Sequence, residues 1–155
     1  MDIKILVGTM TGTAEMVAEE IGDALEEAGH GFEIEAMDAL DASAFEDEGV
    51  YLIVSSTYGQ GDVPDNAIRL YEDLVEKKPD LSHVRYGVFS LGDRTYAETF
   101  NFGGKKFDQA LSDCGAKRVG DVFTHDASSG TIPEEDGVEW VKEWLANFDG
   151  ARAAA

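Results

Sequence analysis

The chain has 155 residues, 43% of them hydrophobic, which is the length and composition of one ordinary globular domain. Its 32 acidic residues outnumber 12 basic ones and give a formal charge of −20. Repulsion from phosphates therefore argues against a nucleic-acid partner, and the charge favours a basic protein partner or a saline habitat. One cysteine excludes an internal disulfide, and three scattered histidines form no cluster with metal-site spacing.

No segment of the sequence predicts export or a membrane. The start, Met1-Asp2-Ile3-Lys4, lacks the basic and apolar regions of a signal peptide. The longest apolar run, residues 50–54, is far too short to span a bilayer. The protein is therefore expected to be cytoplasmic and to have no membrane partner.

The first part of the chain has the patterns of a strand, a helix and a second strand. The apolar run at residues 3–7 predicts a buried strand that ends at Gly8. From Thr13 apolar side chains recur at helical spacing until Gly29 ends the helix. Apolar residues then alternate with glutamates at 32–36, which predicts a strand near the edge of a sheet.

The middle of the chain predicts a central strand and a second helix. An acidic connection, residues 38–48, is expected to contain one helical turn. Residues 50–55, apolar up to Ser55, predict a strand buried on both faces. A loop rich in glycine and aspartate, residues 57–66, precedes a helix that begins near Ala67 and ends near Pro79.

The last part repeats the alternation. The expected elements are a strand at 84–89 that closes on 91–93, a loop at 94–104, a helix with its apolar face over 107–114, a strand at 118–123, a loop at 124–133 and a closing helix with its apolar face over 138–148. Cys114 falls on an apolar helix face and is expected to be a buried, inert thiol. Trp144 is expected in the core and Trp140 to be partly exposed.

This alternation predicts one α/β domain, residues 1–149, with a parallel sheet covered by helices on both faces. Residues 150–155 are expected to be a flexible tail. Ligands of such folds bind outside the carboxyl ends of the strands. The three unusual loops follow the first, third and fourth strands, so all three are expected at that same edge.

The loop after the first strand, Gly8-Thr9-Met10-Thr11-Gly12-Thr13-Ala14-Glu15, has the chemistry of an anion site. Free backbone N–H groups, the positive end of a helix dipole and three hydroxyls can together hold a phosphate. No lysine follows Gly12, which separates the loop from nucleotide-triphosphate loops, and the glycine spacing of a dinucleotide fingerprint is missing. The alternative is a plain strand-to-helix turn capped by threonine.

The other two loops each place a tyrosine beside flexible backbone. These are Tyr58 in Thr57-Tyr58-Gly59-Gln60-Gly61-Asp62 and Tyr96 in Gly92-Asp93-Arg94-Thr95-Tyr96. Two rings from different loops can sandwich a planar heterocycle. The alternative is that both rings are merely half-exposed loop aromatics.

Three segments together resemble the FMN-binding segments of flavodoxins, most closely single-domain flavodoxins related to the FMN domains of diflavin reductases. They are residues 9–15, 56–62 and 91–96, in family order and at family-like spacing, and the resemblance covers residues 2–148. It implies a doubly wound, five-stranded parallel sheet in the order 2-1-3-4-5 with helices on both faces, an order for which flavodoxin is itself the reference example.

The resemblance also implies a role for each segment. The threonines and backbone of the first segment bind the FMN phosphate, Tyr58 and Tyr96 flank the isoalloxazine, and Gly59 lies beside its N5 atom. The third segment meets the pyrimidine edge through backbone groups. The implied FMN-binding residues are Thr9, Met10, Thr11, Gly12, Thr13, Ala14, Ser56, Thr57, Tyr58, Gly59, Leu91, Gly92, Asp93, Tyr96, Phe100 and Asn101.

The chain departs from its relatives at a few of these positions. Met10 stands where related domains often have a polar residue, and Tyr58 stands where many flavodoxins have tryptophan or another residue. The stretch from Tyr96 to Gly104 is slightly longer than in the related domains, which affects the assignment of Phe100 and Asn101.

The function that the resemblance implies is electron transfer, without conversion of a bound substrate. FMN would carry low-potential electrons from an NAD(P)H-dependent reductase to an acceptor enzyme, both with basic docking surfaces, and the protein would be a monomer. Two other classes stay open. An FMN-dependent quinone or nitro reductase of the same fold needs an open pocket over the flavin. A receiver domain needs a phosphorylatable aspartate and a lysine at these strand ends, where the first strand instead ends in Gly-Thr.

Overall fold

The computed structural model describes residues 2–8, 13–37, 40–45, 49–56, 65–92, 102–120, 123–126 and 132–154. Strands and helices alternate through these ranges, and a short 3-10 helix, Ala42–Phe45, lies in the predicted acidic connection. The strands are β1 (Asp2–Gly8), β2 (Gly31–Ala36), β3 (Gly49–Ser56), β4 (Val84–Gly92), β5 (Lys117–Arg118) and β6 (Phe123–Asp126). The helices are α1 (Thr13–Glu27), α2 (Asp65–Lys77), α3 (Phe102–Asp113) and α4 (Pro133–Ala154).

All six strands belong to one parallel sheet. Its order is β2-β1-β3-β4-β5, and β6 also pairs with β4. The predicted order is confirmed, with β2 at one edge and β3 in the centre. The burial of β3 follows its composition, because Tyr51–Val54 are almost entirely buried and the sheet is covered on both faces.

The alternation of side chains along each strand sends apolar residues into two cores. One core lies between the sheet and helices α1 and α4, and Ile3, Ile5 and Val7 of β1 point into it. The other lies between the sheet and helices α2 and α3, and Leu6 of β1 points into it. The helices are thus held in pairs on opposite faces, α1 with α4 and α2 with α3.

The fifth position of the sheet is split between two short strands. β5 pairs with β4 at Arg85 and Tyr86, and β6 resumes the pairing at Phe89. Two residues of β4 separate these contacts, whereas four residues, 119–122, separate β5 from β6. Gly120 has a φ of +74°, in the left-handed region that glycine adopts without strain, so the chain leaves the extended conformation there. The predicted single strand at 118–123 is therefore wrong, and the paired segment continues to Asp126 instead.

A polar network fastens this broken edge to α3. The Tyr86 hydroxyl donates to Asp108 Oδ1 at 2.6 Å, and Arg118 Nη1 donates to Asp108 Oδ2 at 2.7 Å. Arg118 Nε also donates to the carbonyl of Gly120 at 2.9 Å. Burial, followed by the hydrogen bond to Asp108, raises the pKa of Tyr86, so its hydroxyl stays protonated and remains a donor.

Two further expectations need correction, those for the loop at 94–104 and for Trp140. α3 begins at Phe102, inside that predicted loop. The backbone of residues 150–154 is helical as the end of α4, and the flexible tail expected there stays a prediction. Trp140, expected to be partly exposed, is only 6% exposed, because its ring packs edge-on against Phe89 at 5.7 Å and beside Trp144.

Candidate functional site

The carboxyl ends of β1, β3, β4 and β6 lie in one row across the sheet. Gly8 is paired with Ser55, Ser55 with Ser90, and Ser90 with Thr124. The loops after β1, β3 and β4 therefore leave the sheet from three adjacent strands at one edge. At about 4.8 Å per strand, the three departure points span on the order of 10 Å. One elongated ligand can contact all three loops across this distance.

Helix α1 begins at this same edge. Residues 9–12 connect Gly8 to the start of α1 at Thr13, so the free N–H groups of its first turn and the positive end of its dipole face this side of the sheet. Ala14 and Val17 are fully buried against the sheet, which fixes the direction of the helix. The end of a helix held in this way is suited to an anion such as a phosphate.

Two buried serines stand beside each other in this row. Ser55 and Ser90 are fully buried, are direct partners across β3 and β4, and each makes polar interactions within the protein. Hydroxyls this deeply buried require such interactions. Neither serine is among the residues predicted from the sequence, although a serine that ends an otherwise apolar strand is a usable signal for the rim of a site.

A histidine of β6 and an aspartate of α4 lie in contact at the β6 end of this edge. His125 on β6 is 4% exposed and is the register partner of Leu91. Its Nδ1 lies 2.8 Å from Oδ2 of Asp136, in the first turn of α4. The pair joins the strand that borders β4 to the helix that covers the sheet. It thereby helps to fix the position of Leu91-Gly92, the start of the third predicted FMN-binding segment.

Replacing Asp136 with alanine is expected to lower the free energy of unfolding by about 1–3 kcal/mol, because the buried His125 ring loses its carboxylate partner. Glu135→Ala is the matched control, since Glu135 is an exposed carboxylate in the same helical turn and shares the same interaction with the helix dipole. Urea denaturation of the two variants measures the difference. Equal losses would show that the contact between His125 and Asp136 contributes nothing to stability.

The structure describes only part of the predicted FMN-binding set. The backbone of Thr13 and Ala14, of Ser56, and of Leu91 and Gly92 lies at the common edge. The side chains of Ala14 and Leu91 point into the core between the sheet and helices α1 and α4, which leaves their backbone groups for a ligand. The other predicted members, outside the described residues, are Thr9, Met10, Thr11, Gly12, Thr57, Tyr58, Gly59, Asp93, Tyr96, Phe100 and Asn101.

Other chemistry has little support in the part of the chain that the structure describes. Within it, no group of three or more His, Cys, Asp or Glu side chains is placed to hold a metal ion. Cys114 is buried as predicted, its Sγ lies 3.8 Å from the carbonyl of Leu74, and burial raises the pKa of its thiol. A protonated, buried thiol is a poor nucleophile. No helix among the described residues is long and apolar enough to cross a bilayer.

Several known proteins resemble this chain in sequence and fold. A family model described as flavodoxin matches residues 5–140. Flavodoxin YqcA of Escherichia coli K12 is 39% identical over 144 residues, which are 92% of this chain and 95% of that protein. The sulfite reductase [NADPH] flavoprotein alpha-component of Bacillus subtilis is 33% identical over 151 residues, which are 97% of this chain but only 24% of that longer protein.

Solved structures of flavodoxins have the same fold as this chain. A cysteine-to-alanine mutant of flavodoxin from Pseudomonas aeruginosa superposes with a TM-score of 0.83 at 33% identity, over 95% of this chain and 98% of that one. Its likeness includes the doubly wound sheet, whose strand ends and helix start form the edge described above. A match over most of the length, in sequence and in fold, places this chain in the flavodoxin family of FMN-binding electron-transfer proteins.

Proposed function

We propose that this chain binds FMN at the common edge and works as a one-electron carrier, which takes low-potential electrons from an NAD(P)H-dependent reductase and passes them to an acceptor protein. The observation that carries the proposal is the alignment of three strand ends beside the start of α1, in a chain of the flavodoxin family. The likeness to one segment of a sulfite reductase flavoprotein supports a reductase as partner. We further propose a cytoplasmic monomer.

The predicted FMN-binding residues would match the parts of FMN. The α1 N-terminus and the hydroxyls of Thr9, Thr11 and Thr13 would neutralise a phosphate without a lysine. Tyr58 and Tyr96 would cover the two faces of the ring, and the backbone of 91–93 would meet its polar edge. The bound cofactor would supply reversible one-electron chemistry, and the protein would orient it, exclude water and set its potentials.

Gly59 is proposed to tune the potentials. Its peptide can turn at little cost, because glycine has no Cβ to clash, and its carbonyl can then accept a hydrogen bond from the N–H at flavin N5. Such a bond is worth about 0.5–1.5 kcal/mol, which corresponds to roughly 20–65 mV for one electron. The bond would raise the first one-electron midpoint potential relative to the second.

The substitution Gly59→Val is therefore expected to shift the first midpoint potential toward the second by roughly 20–65 mV. Gly61→Val, the same substitution two residues away in the same loop, is the control. A spectroscopic redox titration of the FMN-loaded variants measures both potentials. If Gly59→Val leaves their separation at the wild-type value, the carbonyl of Gly59 is not the tuning group.

The competing candidate is an FMN-dependent quinone or nitro reductase, and it is favoured by the likeness to part of a larger reductase. An enzyme of this kind oxidises NAD(P)H by itself and reduces a small substrate. A carrier accepts electrons only when a reductase is present. The two candidates therefore differ in one measurable property, turnover with NAD(P)H alone.

The test is to titrate the purified protein with FMN and then to supply NADPH with and without a flavodoxin reductase. The carrier predicts one FMN per chain, flavin reduction only with the reductase, and reoxidation by an acceptor such as a c-type cytochrome. Turnover of NADPH and a quinone without the reductase would favour the enzyme. Failure to bind FMN would refute both candidates.

A further inference from the structure

The two helical faces of the sheet differ strongly in charge. α1 has six carboxylates and no basic residue, and α4 has six carboxylates against Lys142 and Arg152, so this pair of helices carries a formal charge of −10. α2 has four carboxylates against Arg69 and Lys77, and α3 has two against two lysines, so that pair carries −2. The net negative charge of the four helices is thus concentrated over one face of the sheet.

Ion pairing adds to the contrast. Three ion pairs of lysine or arginine with a carboxylate, Arg69–Asp41, Lys77–Asp73 and Arg118–Asp108, all lie on the side of α2 and α3. Within the described ranges, no lysine or arginine forms an ion pair with a carboxylate of α1. All six α1 carboxylates are exposed to solvent. Their charge is therefore neutralised only by the solvent and its ions, which a basic partner can displace.

The acidic face also carries exposed apolar side chains. Met16, in the first turn of α1, is 53% exposed, and Ile132, directly before α4, is 50% exposed. The two helices approach closely near these residues. A Cβ added to Gly137 of α4 would lie only 2.8 Å from Cγ1 of Val17 in α1. Both helices follow parallel strands, so both begin at the carboxyl edge of the sheet. Met16 and Ile132 therefore lie at that end, with exposed Glu15, Glu19 and Glu135 nearby in sequence.

We infer that the end of the α1–α4 pair nearest the strand ends is the docking surface for a redox protein that presents an apolar centre ringed by lysine and arginine. This inference rests on the proposed carrier function and adds to it which face of the molecule the partner uses. Exposed apolar side chains rimmed by charge are typical of interaction surfaces. A partner bound here lies next to the edge that carries the candidate FMN site, as electron transfer requires.

The charge of the α1–α4 face favours a basic protein as the binding partner. The α1–α4 face repels acidic surfaces and nucleic acid and attracts a basic surface from a distance. Helices α2 and α3 have a formal charge of only −2, and their Asp73 and Asp108 are in ion pairs, so this face exerts a weaker attraction. Val75 of α2 is 47% exposed, so an exposed apolar side chain alone does not distinguish the two faces. What singles out the α1–α4 face is that exposed apolar side chains, the α1 carboxylates without a lysine or arginine partner, and the strand ends occur together there.

The test compares two double variants that remove the same charge. Glu19→Gln/Glu135→Gln removes one exposed carboxylate from each helix of the proposed surface, and Glu72→Gln/Glu76→Gln removes two exposed carboxylates from α2. The FMN-loaded proteins are reduced and mixed by stopped flow with a basic c-type cytochrome at low ionic strength. We expect the first variant to lower the second-order rate constant about three- to tenfold and the second to lower it by less than about 1.5-fold.

Apolar substitutions, high salt and a small uncharged acceptor test the same surface independently. Met16→Gln is expected to slow the reaction about two- to fivefold, and Val75→Gln to leave it unchanged, because only Met16 lies in the proposed contact. At about 1 M salt the two charge variants should react at the same rate, since the Debye length is then near 3 Å. Oxidation by benzoquinone, a small uncharged acceptor, should be equal in all variants.

The possible results distinguish failure of the docking face from failure of the proposed carrier function. Normal oxidation by benzoquinone with equal slowing in both double variants would overturn the docking face and leave the carrier function intact. A larger effect from the α2 variant would assign docking to the opposite face. A protein that binds no FMN, or whose reduced form reacts with neither acceptor, would overturn the carrier function and this inference with it.

Discussion

Replacing Gly87 with alanine is expected to lower the free energy of unfolding by about 1–3 kcal/mol, although the residue changes by a single methyl group. A Cβ at position 87 would lie 2.9 Å from Cδ1 of Trp144 and 3.1 Å from Cδ2 of Leu52. Trp144 is buried in the core between α4 and the sheet, so its ring can move only if its neighbours move too. The loss outweighs the gain of about 0.4–1 kcal/mol that alanine brings by restricting the unfolded chain.

A matched glycine and a compensating substitution make this result decisive. Gly49, in the neighbouring strand β3, faces open space, because its nearest atom would be Cε2 of Tyr51 at 3.8 Å, and Gly49→Ala should be close to neutral. In a Trp144→Phe background the smaller ring leaves room, so Gly87→Ala should cost less there than in the wild type. Urea denaturation of the four variants measures the coupling. Additive losses would mean that Trp144 does not pack on Gly87.

The second large effect is expected at the cofactor edge. Thr11→Asp should weaken FMN binding about 100- to 1,000-fold, because it would place a carboxylate close to the phosphate. Two unit charges about 4 Å apart repel by roughly 4 kcal/mol at an effective dielectric constant near 20. Thr11→Asn is the control, since it has nearly the same size without the charge.

Riboflavin separates the phosphate from the ring in this experiment. It has the same isoalloxazine as FMN but no phosphate, so its affinity should be much lower in the wild type and should change little in Thr11→Asp. Fluorescence quenching of the free flavin gives both dissociation constants. If Thr11→Asp weakens riboflavin as much as FMN, the first loop does not hold the phosphate.

Much of the fold could be predicted because it depends on patterns local to each segment. The unbroken apolar run at 50–54 requires burial on both faces, and β3 is indeed the central strand. The glutamates of 32–36 require one solvent-exposed side, and β2 is indeed at an edge. The strand order itself came from the family resemblance.

The errors arose where distant residues decide the structure. Trp140 sits at a position that local spacing leaves at the boundary of the apolar face, and Phe89 from β4 covers it. The break at Gly120 has one local signal, the glycine itself, which the prediction of a single strand at 118–123 did not use. The hydrogen bond by which Arg118 holds the turn leaves no pattern in the sequence. A two-residue strand such as β5 is also too short to show any periodicity.

The candidate site also has features that the sequence predicts and features that it does not. Its edge could be predicted, because the carboxyl ends of parallel strands always meet on one side of the sheet. The pairing of His125 with Asp136 could not, since the two residues are eleven apart on different elements and a single histidine in a polar stretch has many ordinary explanations. Serines 55 and 90 become neighbours only through the register of β3 with β4.

Both outer borders of the sheet are built so that it cannot be extended by another chain. Glu33, exposed on β2, would bring its own charge against any strand added there. On the other side, the break between β5 and β6 leaves only two residues and then four in line, too few for a continuous ladder of backbone hydrogen bonds. Such interruptions and charges are known protections against edge-to-edge aggregation of sheets. The irregular fifth position should therefore disfavour pairing with another chain, and a variant with one continuous strand there is expected to self-associate more readily.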